Sequence, residues 1–570
     1  MKAGRALVPR PAWLRSYGLG AAARDGIAGL ILAILLVPQA MAYAQLAGLP
    51  PETGLFAALL PPLLYAVFGT SNFVSMGPVA LVSLVVAEAA TVGGADPATA
   101  AAVIAIEAGV LLCLLGGLGL GRLVNFVSEP VLLGFTAAAA ILIAASQLPA
   151  LLGIDMARSG DLLSGLPALW RNLPGTNWPT TMIGATALVL LLFANRYFAA
   201  TLWKLGVHPP FRQAIAKSVP LAIVIGAAFA ASAYRGEIGT VSTVSAGVPS
   251  MPWPLGSPQL WLDLLASSVA VAVIVFVTAT AVAKSLAGTD RRHLDTSREA
   301  VALGAGNIAA ALTGGYAVGA SLSRSALVED SGARSPLASG FASLAVLAVL
   351  LFLAPLLSYL PQTALAALVI SAVFGLVKWR DIMAVWHHDR VEGGIIALSF
   401  LATLLLGVRL GLAVGAGLGI AHFLWFSSLP RVTRVGSDDG GATFRSVRRD
   451  AVEIDTLPVL VVRIDRSLYF GNAAHCEDEI YARLAAHEGV EQLVLDMRAV
   501  NAVDASGAAM LLRLVHRLRE DGVIVHFAET HAPVAERLKP YGGEVSEFHR
   551  TVGEAVESCG VVLDDRIAYT

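Results

Sequence analysis

The chain has 570 residues, of which 56% are hydrophobic and only 14% are charged. Soluble domains carry about 25% charged residues, so this composition predicts a polytopic membrane protein that contacts the lipid bilayer. A formal net charge of −2 argues against nucleic-acid binding, which requires concentrated lysine and arginine. The three cysteines, Cys113, Cys476 and Cys559, lack the spacing of a metal site or a disulfide framework. We therefore expect no nucleic-acid partner, no metal and no cofactor.

A basic N-terminal segment, residues 1–25, precedes the apolar run 27–46, which is too long for the hydrophobic region of a signal peptide. We interpret this run as the first membrane-spanning helix, with a cytoplasmic N-terminus. Further spanning windows lie at 55–68, 98–118, 130–150, 180–198, 214–232, 264–287, 299–313, 337–359, 363–377, 391–408 and 410–428. Two shorter, interrupted segments, 73–87 and 320–328, occupy corresponding places in the two halves. Together these windows predict about fourteen segments in two repeats of seven, 26–232 and 263–428.

The distribution of charge indicates how the predicted spans are oriented. Basic residues such as Arg122, Lys204, Lys284 and Lys378 follow even-numbered spans, which places those loops in the cytoplasm by the positive-inside rule. A repeat with an odd number of spans is inverted relative to its partner. Inverted repeats with short, broken helices in corresponding positions are typical of secondary transporters, whose substrate lies between the half-helix N-termini.

The two half-helix N-termini are predicted at Ser75–Pro78 and Ser321–Arg324. Unpaired backbone N–H groups and the positive end of the helix dipole attract anions at such positions, so the substrate is expected to be a small anion. Arg324 lies at membrane depth, where an arginine costs at least about 2.5 kcal/mol on insertion scales. It is the first candidate for an anion ligand. A salt bridge to a carboxylate, or a side chain that reaches the membrane interface, is the alternative.

The character of the chain changes after Trp425. More than half of its 41 acidic residues lie beyond Gly436. Strand-like runs at 458–464, 492–497 and 523–527 alternate with helical patterns at 473–486, 506–520 and 533–539. We therefore predict a transmembrane domain over 26–430, a linker over 431–449 and a cytoplasmic α/β domain over 450–570.

Four stretches together resemble the SulP/SLC26 family of anion transporters. They are Leu36–Ala44 with Gly48–Pro51, Phe68–Ser71 with Met76–Pro78, Ser321–Ser325 with Gly332–Pro336, and Asp504–Gly507. The resemblance implies a seven-plus-seven inverted repeat divided into core and gate domains, followed by a C-terminal STAS domain. It also implies a homodimer in the cell (plasma or inner) membrane with both termini in the cytoplasm.

The resemblance also implies an anion pocket between the two half-helices. Carried over residue by residue, the pocket contains Gln39, Tyr43, Val79, Ser323 and Arg324. Backbone N–H groups and the Ser323 hydroxyl would donate hydrogen bonds, and Arg324 would supply positive potential. Gln39 and Tyr43 would form the wall of the pocket.

One position departs from the family pattern. Many coupled relatives have a carboxylate on the eighth helix, where this sequence has Thr278. Proton coupling through that position is therefore not expected, although Thr278 is a candidate for the pocket or for a coupling ion. Glu88 and Glu107 are the remaining intramembrane acids that can serve a coupling role. A threonine on a helix more often donates to its own backbone, which is the simpler reading of Thr278.

In the soluble domain, Ser506 matches the serine that is phosphorylated in STAS proteins that antagonise anti-sigma factors. A phosphate there would meet the positive end of a helix dipole. The alternative is that Ser506 only caps the helix, with help from Asp504.

The expected function is secondary transport of a small inorganic anion, with sulfate the leading candidate, by alternating access. Bicarbonate, C4-dicarboxylate and chloride exchange remain open alternatives. A different class of function is an anion-sensing signalling protein whose STAS domain binds a cytoplasmic regulator. No Walker loop, HExxH motif or nucleophile elbow occurs, so no enzymatic activity is expected.

Overall fold

The computed structural model describes residues 11, 13–14, 17–89, 95–126, 128–156, 162–206, 211–234, 236–241, 256–288, 294–437, 443–447, 458–539 and 548–560. Within them the chain divides into two compact units, 1–419 and 420–570, and each is described by itself. Most of the predicted N-terminal segment, and parts of the predicted linker and of the predicted soluble domain, lie outside the described residues.

The first repeat begins with a long helix and contains one short strand. Its elements are α1 (Leu19–Leu46), α2 (Pro51–Phe56), α3 (Leu60–Phe68), β1 (Met76–Gly77), α4 (Ala80–Ala89), α5 (Pro97–Gly117), α6 (Glu129–Leu152), α7 (Leu162–Asn172), α8 (Trp178–Phe193), α9 (Ala199–Lys204) and α10 (Phe211–Ser232). A π-helical turn, Ala194–Phe198, joins α8 to α9.

The second repeat follows the same plan. Its elements are α11 (Pro258–Leu286), α12 (Thr296–Leu312), β2 (Gly319–Ala320), α13 (Leu322–Asp330), α14 (Leu337–Ala348), α15 (Ala354–Leu357), α16 (Gln362–Val373), α17 (Trp379–His388) and α18 (Arg390–Ser428). The predicted boundary between the last two spans corresponds to Gly407, where φ is 83° and interrupts α18. Glycine adopts this left-handed conformation without steric cost.

The described residues contain ten helices long and apolar enough to cross a membrane. The division of α18 and the shorter helices α4, α12 and α13 complete the fourteen predicted segments. The predicted polytopic helical fold is therefore confirmed. Local signals fix several helix starts: α11 begins before its apolar window because Ser257 accepts a hydrogen bond from the Leu260 amide and Pro258 occupies the first turn.

Hydropathy windows missed two helices, α7 and α17. On α17, Ile382 is buried, whereas Trp379, Arg380 and Trp386 are exposed. A window that averages hydropathy does not detect a helix with one apolar face and one polar face.

The transmembrane helices pack in two groups. One group combines α1, α3, α4 and α5 with α11, α12, α13 and α14, and the other combines α6, α8 and α10 with α16. Helix α18 also belongs to the second group, because the hydroxyl of Ser399 on α18 donates to the Val131 carbonyl of α6 at 3.1 Å. These groups correspond to the expected core and gate domains.

Glycines allow α5 and α12 to approach closely. A Cβ atom on Gly109 would lie 2.6 Å from Ile308 Cγ1 and 2.8 Å from the Gly304 carbonyl oxygen. A Cβ atom on Gly304 would in turn lie 2.6 Å from the Gly109 carbonyl oxygen. Small residues at such crossings are typical of helix packing in membranes, where contact between backbones supplies much of the attraction.

The second unit contains a six-stranded sheet of order β4-β3-β5-β6-β7-β8. The strands are β3 (Val432–Gly436), β4 (Arg445–Ser446), β5 (Val459–Ile464), β6 (Gln492–Asp496), β7 (Ile524–Ala528) and β8 (Phe548–His549). The helices are α19 (Ala473–Ala485), α20 (Ala505–Glu520), α21 (Ala532–Leu538) and α22 (Val552–Ser558).

Strands β5 to β8 are parallel and are covered by helices on both faces. Leu460 and Val462 face one apolar cluster with α19, α20 and α21, whereas Val459 and Val461 face a second cluster with α22. The alternation follows from the two-residue period of a strand. The predicted α/β fold of this part of the chain is confirmed.

The packing of α5 against α12 yields a testable prediction. Gly109→Ala places a methyl group against backbone and is expected to destabilise the protein by roughly 1–3 kcal/mol, as overpacked cores do. Gly117→Ala, on the same helix, meets no atom within 4 Å and is the matched control. Thermal unfolding in detergent measures both, and equal melting temperatures for the two variants would contradict the packing account.

Candidate anion site

Two antiparallel strands cross where the half-helices begin. Met76 pairs with Ala320, and Gly77 pairs with Gly319. The Ser321 amide also donates to the Ser75 carbonyl at 3.3 Å, and the Ser75 amide donates to Ser325 Oγ at 2.9 Å. Because α4 and α13 follow these strands directly, their N-termini are held close together.

Arg324 is the largest fully buried side chain at this crossing, with an exposed fraction of 0%. Its Nη1 donates to the Pro78 carbonyl at 2.8 Å, ahead of α4. Its Nε and Nη2 atoms are buried without a hydrogen-bond partner among the described residues. Within the part of the chain that the structure describes, Arg324 forms no salt bridge and is fully buried, so two guanidinium nitrogens are free to donate to a ligand.

Gly77 leaves room beside this guanidinium. A Cβ atom on Gly77 would lie 3.4 Å from Arg324 Nη2. Gly319, opposite Gly77, packs against Val79, whose Cγ2 would lie 3.0 Å from an added Cβ. The sequence pattern therefore uses small residues where the two half-helices meet.

The other predicted pocket residues occupy three elements. Gln39 and Tyr43 are nearly buried on α1, at 8% and 7% exposure, and Gln39 Oε1 has no hydrogen-bond partner among the described residues. Tyr43 lies within electrostatic range of Arg324. Ser323 is exposed in the first turn of α13, where its hydroxyl lies 3.3 Å from Ser321 Oγ. Val79 is partly buried ahead of α4.

Sequence reasoning missed Tyr316, which is fully buried beside this group. Its hydroxyl lies 2.9 Å from Ser83 Oγ on α4, and its ring is within electrostatic range of Arg324. Tyr316 lies between α12 and β2 with only small or apolar neighbours in sequence, so no local motif marks it.

For Thr278, the structure agrees with the simpler interpretation, a hydrogen bond to the backbone of its own helix. Its hydroxyl donates to the Ile274 carbonyl on the same helix at 2.6 Å. Thr280, one half-turn further, has a buried hydroxyl without a partner among the described residues. Of these two hydroxyls on α11, the first is therefore committed to the backbone of its own helix.

The two intramembrane acids have partners away from Arg324. Glu107 accepts a hydrogen bond from Ser268 Oγ at 2.6 Å. Glu88 Oε1 and Oε2 accept hydrogen bonds from the backbone amides of Val408 and Arg409 at 2.9 and 3.4 Å. Glu88 lies near the end of α4, roughly 12 Å from its first turn by the 1.5 Å rise of a helix.

In the second unit, the helix cap belongs to Asp504 and not to Ser506. Asp504 Oδ1 accepts from the Gly507 amide at 2.8 Å, and Oδ2 accepts from the Phe470 amide at 2.9 Å. Burial raises the pKa of Asp504, but these amides and that of Ser506 outweigh burial and hold the pKa below its ordinary value. Ser506 is exposed in the first turn of α20.

The fold and the crossing define a class of protein. A membrane domain of two inverted repeats, with paired half-helices and a buried arginine between their N-termini, has the architecture of a secondary transporter. The half-helix dipoles and the guanidinium give this crossing positive potential.

Comparison with known proteins identifies the family. Residues 23–399 match the sulfate permease family, and residues 449–555 match the STAS domain. The chain belongs to the sulfate permease family, the SulP/SLC26 anion transporters, and carries a C-terminal STAS domain.

Two plant relatives illustrate the similarity. Sulfate transporter 4.1, chloroplastic, of Arabidopsis thaliana is 32% identical over 526 residues, which are 89% of this chain and 75% of the relative. High affinity sulfate transporter 2 of Stylosanthes hamata is 30% identical over 572 residues, covering 96% of this chain and 85% of the relative.

Solved structures show the same fold. Murine solute carrier 26 family member A9, an anion transporter in the inward-facing state, superposes with a TM-score of 0.88 at 22% identity, covering 98% of this chain and 96% of that one. The transmembrane domain of the cyanobacterial bicarbonate transporter BicA gives a TM-score of 0.57 at 19% identity, covering 71% of this chain and 98% of that one.

Ser325 and Ser323 should have separable roles. Ser325→Ala leaves the buried Ser75 amide without its acceptor and should destabilise the protein by about 1–3 kcal/mol. Ser323→Ala removes an exposed hydroxyl from the same helix and should change stability by less than about 0.5 kcal/mol. Thermal unfolding in detergent compares them. A larger loss for Ser323→Ala than for Ser325→Ala would contradict this assignment.

Proposed function

We propose that this protein is a secondary transporter of sulfate. The anion is held between the N-termini of α4 and α13, where Arg324 Nε and Nη2, the Ser323 hydroxyl and backbone amides beside Val79 donate hydrogen bonds. Gln39 and Tyr43 form the wall on α1. The observation that carries this proposal is the fully buried Arg324 guanidinium, of which only Nη1 has a partner among the described residues.

Sulfate is favoured by both chemistry and relatives. A guanidinium presents several N–H donors in a fixed plane, which suits an oxyanion with many acceptor sites. Among the described residues, no carboxylate contacts Arg324, and a carboxylate there would repel a doubly charged anion. Relatives that match most of the chain are sulfate transporters. Bicarbonate and C4-dicarboxylate are the competing anions in the uptake experiment below.

We propose alternating access by movement of the core group against the gate group. On the core side, α4 carries Glu88 and α11 carries Ser267; on the gate side, the break in α18 carries Val408 and Arg409. Besides the two amide hydrogen bonds to Glu88, Arg409 Nη1 donates to Ser267 Oγ at 3.4 Å. We name Glu88, Ser267, Val408 and Arg409 the distal latch.

The hydrogen bonds of the distal latch would hold the core group and the gate group together near the C-terminal end of α4. A partly buried carboxylate that accepts backbone amides contributes more than a neutral hydrogen bond, and it must be released when the groups separate. Glu88 thus has a conformational role in this proposal in place of the coupling role.

Several further features belong to the proposal. We place the protein in the cell membrane with both termini in the cytoplasm, as the basic loops favour, and we expect a homodimer. The exposed Ser506 at the start of α20 is a candidate phosphorylation site for a cytoplasmic regulator. Proton coupling through Thr278 is not expected, since its hydroxyl donates to its own helix.

Uptake of labelled sulfate into proteoliposomes tests the function. Wild-type protein should take up sulfate, and unlabelled bicarbonate or succinate should compete less strongly than sulfate. Arg324→Ala should lower uptake at least about tenfold, because a charged hydrogen bond contributes about 1.5–3 kcal/mol, and Arg324→Lys should restore part of it.

The matched control is Arg380→Ala, which removes an exposed arginine on α17. Wild-type uptake by folded Arg324→Ala protein would contradict the proposed site. Stronger competition by bicarbonate or succinate would reassign the substrate. Uptake driven by an imposed pH gradient would contradict the inference from Thr278, unless another acid such as Glu107 proved responsible.

Removal of the distal latch should open the membrane domain near the C-terminal end of α4. Glu88→Ala should raise, by about tenfold, the rate at which an impermeant maleimide added outside labels a cysteine at position 323, because roughly 1.5 kcal/mol of closing contact is lost. The native cysteines are replaced in this background, and Glu237→Ala, an exposed acid, is the control. An unchanged labelling rate would refute the latch.

A further inference from the structure

A second basic site lies at the end of the membrane unit where α1 and α12 begin. A cavity of about 740 Å³ is lined by Arg24 of α1, Arg298 of α12 and Arg334 of the turn before α14, together with loop 69–72. Trp13 and Tyr17 complete its wall. Arg324 does not border it, so this cavity is separate from the proposed transport site.

The cavity concentrates positive charge without compensation from its own wall. Its described lining contains three arginines and neither an aspartate nor a glutamate. None of the three arginines has a salt bridge within the described part of the chain. A concave surface lined by one sign of charge focuses the field and attracts counter-ions.

Buried carboxylates next in sequence to two of these arginines fix the walls of the cavity. Asp25 is fully buried; its Oδ1 accepts from the Arg334 amide at 2.6 Å and its Oδ2 accepts from Ser335 Oγ at 2.6 Å. This acid therefore ties the turn that carries Arg334 to the helix that carries Arg24.

Glu299 has the same arrangement beside Arg298. It is fully buried, and it accepts from Tyr65 Oη at 2.6 Å and from the Thr70 amide at 2.7 Å. It thereby ties the start of α12 to loop 69–72. Both acids are engaged with amides and hydroxyls, which leaves the arginines to a ligand and holds their backbones in place before it binds.

We propose that this cavity binds a phosphate ester that carries several negative charges. Guanidinium groups match phosphate oxygens through paired N–H donors, and three of them from separate elements select a multiply charged group over a monovalent ion. The volume lies within the range of about 300–1,000 Å³ typical of small-ligand sites.

The aromatic wall indicates where the cavity lies relative to the membrane. Burial and the neighbouring Asp25 carboxylate raise the pKa of the Tyr17 hydroxyl to about 12, so it stays protonated near neutral pH. Trp13 Nε1 donates to the Ala66 carbonyl at 2.9 Å, and its ring contacts Tyr17 edge to face at a centroid distance of 5.4 Å. Trp and Tyr collect at membrane interfaces, where both lipid headgroups and soluble phosphate esters are accessible.

The cavity is connected to the half-helices by a short stretch of chain. Loop 69–72 borders the cavity, and three residues later Ser75 bonds Ser325 at the crossing of β1 and β2. A ligand held by the loop would therefore bias the position of α4 and modulate transport.

Binding to full-length protein in detergent tests the proposal. The probes are inositol hexakisphosphate, followed by calorimetry, and phosphatidylinositol phosphate in phosphatidylcholine nanodiscs, followed by native mass spectrometry. The Arg298→Ala/Arg334→Ala double variant should lose at least about tenfold in affinity, while Arg380→Ala and Arg324→Ala should bind as the wild type does.

Each outcome decides the proposal. Weaker binding of either probe to the double variant, at an unchanged melting temperature, supports the site. If the wild type binds only the soluble probe or only the lipid, that result identifies the source of the phosphate ester. Binding of neither probe to the wild type, or equal binding by the double variant, overturns the proposal. Loss of binding in Arg324→Ala also overturns it, because the probe would then occupy the transport site.

Discussion

The hydrogen bond from Arg324 to the Pro78 carbonyl is the interaction around which the anion site is organised. It joins the start of one half-helix to the start of the other, across the crossing of β1 and β2. A buried guanidinium with incomplete hydrogen bonding is costly, and one carbonyl does not offset the loss of its hydration. An arrangement of this kind persists when a ligand offsets that cost, and we therefore propose that the residue that organises the crossing also binds the anionic substrate.

Breaking two helices at membrane depth leaves backbone groups that lipid cannot satisfy. Side chains from segments distant in the sequence form hydrogen bonds with these backbone groups. Asn307 Nδ2 donates to the Leu303 and Val318 carbonyls, and its Oδ1 accepts from the Val318 amide at 2.9 Å. Ser325 accepts from the Ser75 amide, and Glu299 holds the chain at Thr70. These contacts make the crossing rigid, while the distal latch offers a second set of bonds that movement can release.

The sequence was sufficient for those features that are encoded locally or by repetition. Long apolar windows predicted the spans, and short strand-like apolar runs predicted β5, β6 and β7 to within a residue or so. Arg324 was identifiable because a charge in an apolar segment is conspicuous. Asp25, Glu299 and Tyr316 were not, because their partners lie far along the chain and an isolated acid or tyrosine does not reveal which backbone group it satisfies. For the same reason, the contact of Glu88 with α18 could not be predicted from the sequence. The alternative that Ser506 caps its helix was wrong, because Asp504 is the residue at the cap position.

The central claim is that an oxyanion completes the coordination of Arg324. The most direct measurement is a cryo-EM map of the protein in lipid nanodiscs with saturating sulfate, compared with a map of Arg324→Ala under the same conditions. We predict density for an oxyanion within hydrogen-bond distance of Arg324 Nε or Nη2, between the N-termini of α4 and α13, and its loss in the variant. Sulfate density elsewhere in the membrane domain, with those two nitrogens bonded to protein or water alone, would contradict the account.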